Sequence, residues 1–343
     1  MREDVVSPGS AERAAPATLV EAGLDPGPDH RSGFVTLFGR SNVGKSTLVN
    51  TLVGQKVAIV TEAPQTTRCR IRAIASGPDA QIIYLDTPGI HKPHFAMNRR
   101  MVATAVAALE GVDLVGMVID GAAGLGPGDR YAMGLVQKRK KPVFLLINKI
   151  DQMAKNRILE TIAAATRDYS FAEVIPVSAR TGENTDRLQR LIRESLPVGP
   201  RYFPAATVTD APEKFLMAEI LREKIIQNSR EELPHSSAVI VERVEERSDG
   251  LVEMDTLVVV EKKAHKGMVL GKAGETMKRI ASASRAEMEA HLGTRVFLKV
   301  WVKVAPNWRM DRRFLDRLGL ENLSYRQAGL RRNEPPPASR EQA

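Results

Sequence analysis

One cysteine, Cys69, and six histidines in 343 residues leave no material for a disulfide framework and make a zinc site a poor reading, which suits a reducing compartment. His91, His94, His265 and His291 are accordingly expected on the surface rather than around a metal. Long apolar runs are also missing. The most apolar stretch, residues 101–125, is interrupted by Glu110, Asp113 and Asp120, so it reads as a helix followed by a strand and not as a bilayer span. Residues 1–32 carry six acidic and three basic side chains among scattered Pro, Gly and Ala, which argues against both a signal peptide and an Arg-rich transit peptide. They are expected to form a flexible leader, and residues 321–343, with Pro335-Pro336-Pro337, a disordered tail. No internal repeat is present.

What is present is enough apolar material, 43%, for two domains with separate cores, and a net charge of +9 that makes a polyanionic partner plausible. From residue 33 to 197, short apolar runs near 34–38, 81–86, 114–119, 143–148 and 173–177 alternate with helical periods. That alternation predicts an α/β domain with a mostly parallel, doubly wound sheet and binding loops at the strands' carboxyl ends. Residues 198–211 lack periodicity and read as a linker. The second unit, 212–320, is expected to open with a helix over 212–232. Two strands follow, 237–245 and 252–262, joined across Ser248-Asp249-Gly250, then a loop, a helical stretch and a last strand over 295–304.

Residues 39–46 read Gly39-Arg40-Ser41-Asn42-Val43-Gly44-Lys45-Ser46, followed by Thr47, between a strand-like and a helix-like run. This is the pattern of a phosphate-binding loop: glycines admit the phosphates to the backbone, the N–H groups and helix start face them, Lys45 reaches the β and γ phosphates, and Ser46 ligates Mg²⁺. The loop occurs once, which excludes a tandem arrangement. Asp86-Thr87-Pro88-Gly89 ends the second apolar run, where Asp86 can meet Mg²⁺ through water and the Gly89 N–H the γ-phosphate. Asn148-Lys149-Ile150-Asp151 selects the base, because the Asp151 carboxylate can accept the two donors of guanine that adenine lacks. Ser178-Ala179-Arg180 comes fourth, with backbone N–H groups for the guanine O6.

Within the polar loop Ala63-Pro64-Gln65-Thr66-Thr67-Arg68, Thr67 rather than Thr66 is assigned as the second hydroxyl on Mg²⁺. The roles touching the reaction fall to Lys45, Thr67 and Gly89. Ile90 stands where many GTPases carry the glutamine that orients water, so slow basal hydrolysis is expected, no faster than roughly 10⁻⁴ s⁻¹. A partner, or a monovalent cation such as K⁺ near Asn42, could supply the missing charge.

Residues 262–313 hold thirteen basic side chains against four acidic ones. Inside them, Gly271-Lys272-Ala273-Gly274 precedes a helical pattern with Met277, Ile280, Ala281, Ser284 and Met288 on one face and Lys278 and Arg279 on its flank. A G-x-x-G loop in a basic helical setting beside strands resembles the KH loop, which clamps about four nucleotides of single-stranded RNA, in the type II arrangement.

From residue 33 to 320 the chain resembles the Era-type GTPases of the bacterial ribosome-assembly class. The resemblance runs through the phosphate loop, Pro-Gln-Thr-Thr-Arg, Asp-Thr-Pro-Gly-Ile and Asn-Lys-Ile-Asp, and more specifically through the run from Pro212 to Ile220, Glu-Glu-Leu-Pro-His, and the block containing Trp301 and Trp308. It implies a P-loop GTPase domain followed by an α+β KH domain, using GTP and Mg²⁺. The implied partners are the 3′ end of 16S ribosomal RNA and the nascent small subunit. A cytoplasmic monomer with some peripheral membrane association is also implied. Ser41 and Ala273 depart from residues frequent in the family. The competing reading is a GTPase whose basic second domain docks a protein or a membrane.

Overall fold

Parallel strands covered by helices must be apolar on both faces, and the first half of the chain obeys this: all six residues of the run Val143–Asn148 are buried. In the computed structural model, which describes residues 27–229 and 232–320, the order is β1 (Arg31–Phe38), α1 (Lys45–Val53), β2 (Ile71–Ser76), β3 (Ala80–Asp86), α2 (Ala96–Ala107), β4 (Leu114–Asp120), α3 (Pro127–Gln137), β5 (Val143–Asn148), α4 (Lys155–Thr166), β6 (Glu173–Pro176) and α5 (Thr185–Ser195). The strands lie in the order β2-β3-β1-β4-β5-β6, all parallel except β2 against β3. Chain order reverses at β1, so the loop after β1 opens at the crevice where ligands of such sheets bind. One apolar core fills each face of the sheet.

Three sequence expectations change here. The sequence pattern names five strands, and the sheet has a sixth: β2, whose Ile71, Ala73 and Ile74 are buried, pairs antiparallel with β3. β1 begins at Arg31 rather than at 33, and His30 bonds through Nδ1 to the Gly199 carbonyl at 3.0 Å, so residues 27–32 are not a free leader. Residues 1–26 and 321–343 lie outside the described residues. The stretch 198–211 is packed rather than loose: buried Gln81 accepts from the Tyr202 and Phe203 amides, and Ile74 donates its amide to the Val208 carbonyl.

The second unit consists of α6 (Glu213–Gln227), α7 (Leu233–Ser236), β7 (Ser237–Glu246), β8 (Val252–Val260), α8 (Lys263–Leu270), α9 (Glu275–Leu292), β9 (Val296–Val304) and α10 (Arg312–Arg317). Its sheet, β7-β8-β9, pairs β7 antiparallel and β9 parallel to β8. Where a loop was expected after β8, Lys263–Leu270 is helical, and the expected long first helix stops at Gln227. The helices pack on one sheet face around Leu221, Ile225, Val258, Ile280 and Met288. The other face is covered at one end by Trp308 and Leu315, which join Met97 and Met101 of α2 in a cluster spanning both units. Among the described residues no helix is long and apolar enough to cross a membrane.

Candidate nucleotide site and basic loop

The loop between β1 and α1 turns on Gly44, whose φ of 92° favours glycine and whose place beside Asn148 leaves no room for a Cβ. That turn sends Lys45 back under the loop. Its ammonium donates to the Arg40 carbonyl at 2.8 Å and the Gly39 carbonyl at 3.3 Å. Burial lowers its pKa to about 8 against the opposing pull of Asp86.

Asp86, fully buried at the end of β3, draws in the two hydroxyls assigned from sequence. Ser46 Oγ donates to Asp86 Oδ2 at 2.7 Å, and Thr67 Oγ1 lies 2.8 Å from Ser46 Oγ and 3.2 Å from Asp86 Oδ2. Thr66 turns instead to the Ala63 carbonyl and the Thr61 hydroxyl. Burial raises the Asp86 pKa, resisted by these hydrogen bonds and by Lys45, and its Oδ1 is a buried acceptor without a hydrogen-bond partner. Two hydroxyls and a carboxylate with an unused oxygen form a hard oxygen donor set that fits Mg²⁺.

Gly89 lies so close to Ser41 that a Cβ would stand 2.6 Å from Ser41 Oγ and nearer still to its backbone. The Thr87 hydroxyl points away, to the Leu37 carbonyl, and the Arg40 guanidinium leaves the site to pair with buried Asp129 on α3 at 2.7 Å. Thr87 and Arg40 therefore bring only their backbones. Ile90 is 4% exposed and belongs to the core, so no polar side chain follows Gly89.

On the base side, Asn148 ties three loops: its Nδ2 donates to the Val43 carbonyl at 2.8 Å and its Oδ1 accepts from the Ala179 amide at 2.9 Å. Lys149 donates to the Asn42 carbonyl and to Asp120, and Ser178 donates to Asp151 at 2.7 Å. A cavity of about 910 Å³ lies over these residues, with Asn42, Thr47, Asp151 and Ala179 on one side and Ile226, Gln227 and His235 of the second unit on the other.

The motifs did not disclose how the second unit grips the loop that carries Thr67. Arg222 on α6 donates to the Thr66 carbonyl at 2.5 Å, Glu223 accepts from the Val60 amide at 2.9 Å, and buried Arg68 donates to the Ser237 and Pro234 carbonyls. The available signal was in α6 itself, where the charged pair Arg222 and Glu223 falls among the apolar residues Leu221, Ile225 and Ile226 that the helix buries. The histidines also need correction. His265 is buried against Ser236, and His91 links Gly89 to Asn98, which in turn donates to Gln65. Among the described residues no three His, Cys, Asp or Glu side chains come together as a metal site would need.

In the second unit, Gly271 (φ 72°), Ala273 (φ 50°) and Gly274 (φ 81°) make a left-handed connection between α8 and α9. It leaves Lys272, Ala273, Lys278 and Arg279 exposed.

The family model described as a 50S ribosome-binding GTPase matches residues 34–149, and the KH domain model matches residues 232–309. GTPase Era of Lacticaseibacillus paracasei is 42% identical over 298 residues, covering 87% of this chain and 99% of the relative. GTPase Era of Geobacter metallireducens is 44% identical over 290 residues, covering 84% and 97%. Among solved structures, a point variant of Aquifex aeolicus Era bound to GDP·AlF4⁻ superposes with a TM-score of 0.82 at 35% identity, covering 84% of this chain and 99% of that one. Era in complex with MgGDPNP and nucleotides 1506–1542 of 16S ribosomal RNA gives 0.83 at 35% identity, covering 85% and 99%.

Proposed function

The chain belongs to the Era family of GTPases, and from that premise we propose that it binds the single-stranded 3′ end of 16S ribosomal RNA and assists small-subunit assembly, its nucleotide setting its grip on RNA. The observation that carries this reading is the joining of the phosphate and base loops by Asn148 in a chain that also presents a basic G-x-x-G connection.

Gly39 to Thr47 and Asp86 to Gly89 hold the phosphates, mainly by backbone N–H groups, while Asn148, Lys149, Asp151, Ser178 and Ala179 hold guanine. Ser46, Thr67 and Asp86 hold Mg²⁺, which when bound neutralises charge on the β and γ phosphates. Lys45 brings a second positive charge, and the Gly89 N–H marks the presence of the γ-phosphate. With Ile90 in the core, no side chain there orients water, so unaided hydrolysis is slow and its missing charge comes from a partner or from K⁺ near Asn42. Gly271 to Gly274, Lys278 and Arg279 clamp RNA.

Competition of ATP and GTP for the site and titration of a short single-stranded RNA against wild type and a Gly271→Asp/Gly274→Asp variant test the two halves. ATP competing as well as GTP removes the role of Asp151. Equal RNA binding by both proteins removes the clamp, and equal basal rates in potassium and sodium remove the cation.

A further inference from the structure

The two largest exposed aromatic rings of the second unit lie on one strand. Phe297 (46% exposed) and Trp301 (63%) alternate with Lys299 and Lys303 along β9, all four on the sheet face opposite α8 and α9, whose side of the strand is formed by Val296, Leu298, Val300 and Val302. β9 is the edge of its sheet. Burial does not explain a tryptophan here, because the cluster that covers the other end of this face uses Trp308 and leaves Trp301 in solvent. Cations surround the Phe297 ring: Lys299 Nζ stands 5.6 Å and the Arg247 guanidinium 5.8 Å from its centroid. The carboxylate nearest to them, Glu253, is bonded to both Lys299 and Arg247, which hold its pKa down at about 2. Glu253 therefore stays ionised and its charge is offset by two cations, which leaves that trio one positive charge in excess, while Asp255, opposite Lys299, is paired with Arg243.

We infer that the open face of β9 is a second RNA platform, on which Trp301 and Phe297 stack bases while Lys299 and Lys303 follow the phosphates. This rests on the RNA-binding reading above and extends it. Four residues of strand separate the rings by about 13 Å, so each takes a different base. An aromatic pair on an open sheet flanked by basic side chains is the arrangement by which sheet-type RNA readers hold unstacked bases. The occupant is single-stranded RNA, not a protein, because the rings alternate with cations rather than with further apolar side chains. It is the same strand the G-x-x-G connection holds: that connection joins the helices packed on one side of β9, and an RNA leaving it reaches the other side by crossing a single edge strand.

The test compares a single-stranded RNA of about six nucleotides, enough for the clamp alone, with one of about twenty, using the full chain. Trp301→Ala is expected to weaken the long RNA roughly five- to hundred-fold and to leave the short one unchanged, and Trp301→Phe to restore most of the loss. Because Trp301 is exposed and Trp308, the other tryptophan, is buried, the long RNA should also quench wild-type fluorescence far more than that of Trp301→Phe. Equal binding of the long RNA by wild type and Trp301→Ala, an equal loss for both lengths, or unchanged tryptophan emission at saturation overturns the platform. Failure of wild type to bind either RNA overturns the RNA-binding reading and the platform with it. Loss of both RNAs in Gly271→Asp/Gly274→Asp alone leaves that reading standing.

Discussion

Arg222→Met isolates the contact by which the second unit holds the Thr67 loop. The guanidinium is 2% exposed, bonds twice to Glu219 at 2.6 Å, and donates to the Thr66 carbonyl at 2.5 Å, one residue before the hydroxyl that meets Ser46 and Asp86. Methionine keeps much of the apolar stem and removes the donors. A hydrogen bond from a charged donor contributes about 1.5–3 kcal/mol, so the closed loop should lose about ten- to 150-fold in population. On the role proposed for Thr67, only the triphosphate complex needs it in place, so GTP affinity should fall by up to that factor while GDP affinity stays within about threefold. Glu219, 13% exposed, loses its partner as well, and a Glu219→Gln/Arg222→Met double variant removes that separate cost. Equilibrium titration with fluorescent GDP and a non-hydrolysable GTP analogue reads both numbers, with circular dichroism to show that the fold is intact. Equal GTP affinity in wild type and both variants would refute the claim that α6 holds the switch loop.

Gly89→Ala would drive a methyl group into the Ser41 backbone, which cannot rotate aside, so the Gly89 N–H moves off the γ-phosphate; single-turnover hydrolysis should fall about a hundredfold with GDP binding retained, and an unchanged rate would show that this N–H is not used. Asp151→Asn turns an acceptor into a donor facing guanine's own donors. GTP affinity should drop by about 10⁴-fold and that for xanthosine triphosphate, which carries an acceptor at position 2, should rise; parallel titrations decide it. His91 has a pKa depressed first by burial, with Lys45, His94 and His235 adding repulsion, and its Gly89 and Asn98 bonds fit the neutral ring. The unfolded chain then takes up a proton below about 6.5 that the folded chain refuses, so stability is complete above that pH and is lost as pH falls toward the depressed value. His91→Gln should shrink the decline in Tm between pH 7 and 5.5 without abolishing it, since His235 is depressed too; an identical decline would remove His91 from the account.

Legibility from sequence followed the range of the interactions. The phosphate loop, Asp86 to Gly89, Asn148 to Asp151 and Ser178-Ala179 each follow an apolar run within a few residues, and the parallel sheet carries all four to one edge because strands bring their carboxyl ends together. Local pattern sufficed there. β2 escaped because Ile71–Ser76 mixes Arg72 into a short run of small residues and follows a polar loop; only pairing with β3 makes it a strand. The helix α8 escaped for a related reason, since His265, Val269 and little else of its eight residues are buried, too few to display a period.

The grip of the second unit on the Thr67 loop lay beyond any local pattern. Arg222 and Thr66 are 156 residues apart, Glu223 and Val60 163, and Arg68 and Ser237 169. Each is a charged side chain on a backbone group, a partner that no motif names, because every residue offers the same carbonyl and amide. Their number gives them their significance. The backbone on both sides of Thr67 is held from the second unit, by Arg222 at Thr66 and through Arg68 at the turn into β7, and the Arg68 guanidinium also lies 5.7 Å over the ring of Trp308. Burial lowers the Arg68 pKa to about 9, so the cation stays charged at neutral pH, and losing its two carbonyls while still buried would leave that charge uncompensated. A ligand that draws Thr67 toward its phosphates therefore pulls on α6 and on the strand β7. By linkage, RNA that favours one placement of the second unit must bias Thr67 by the same free energy.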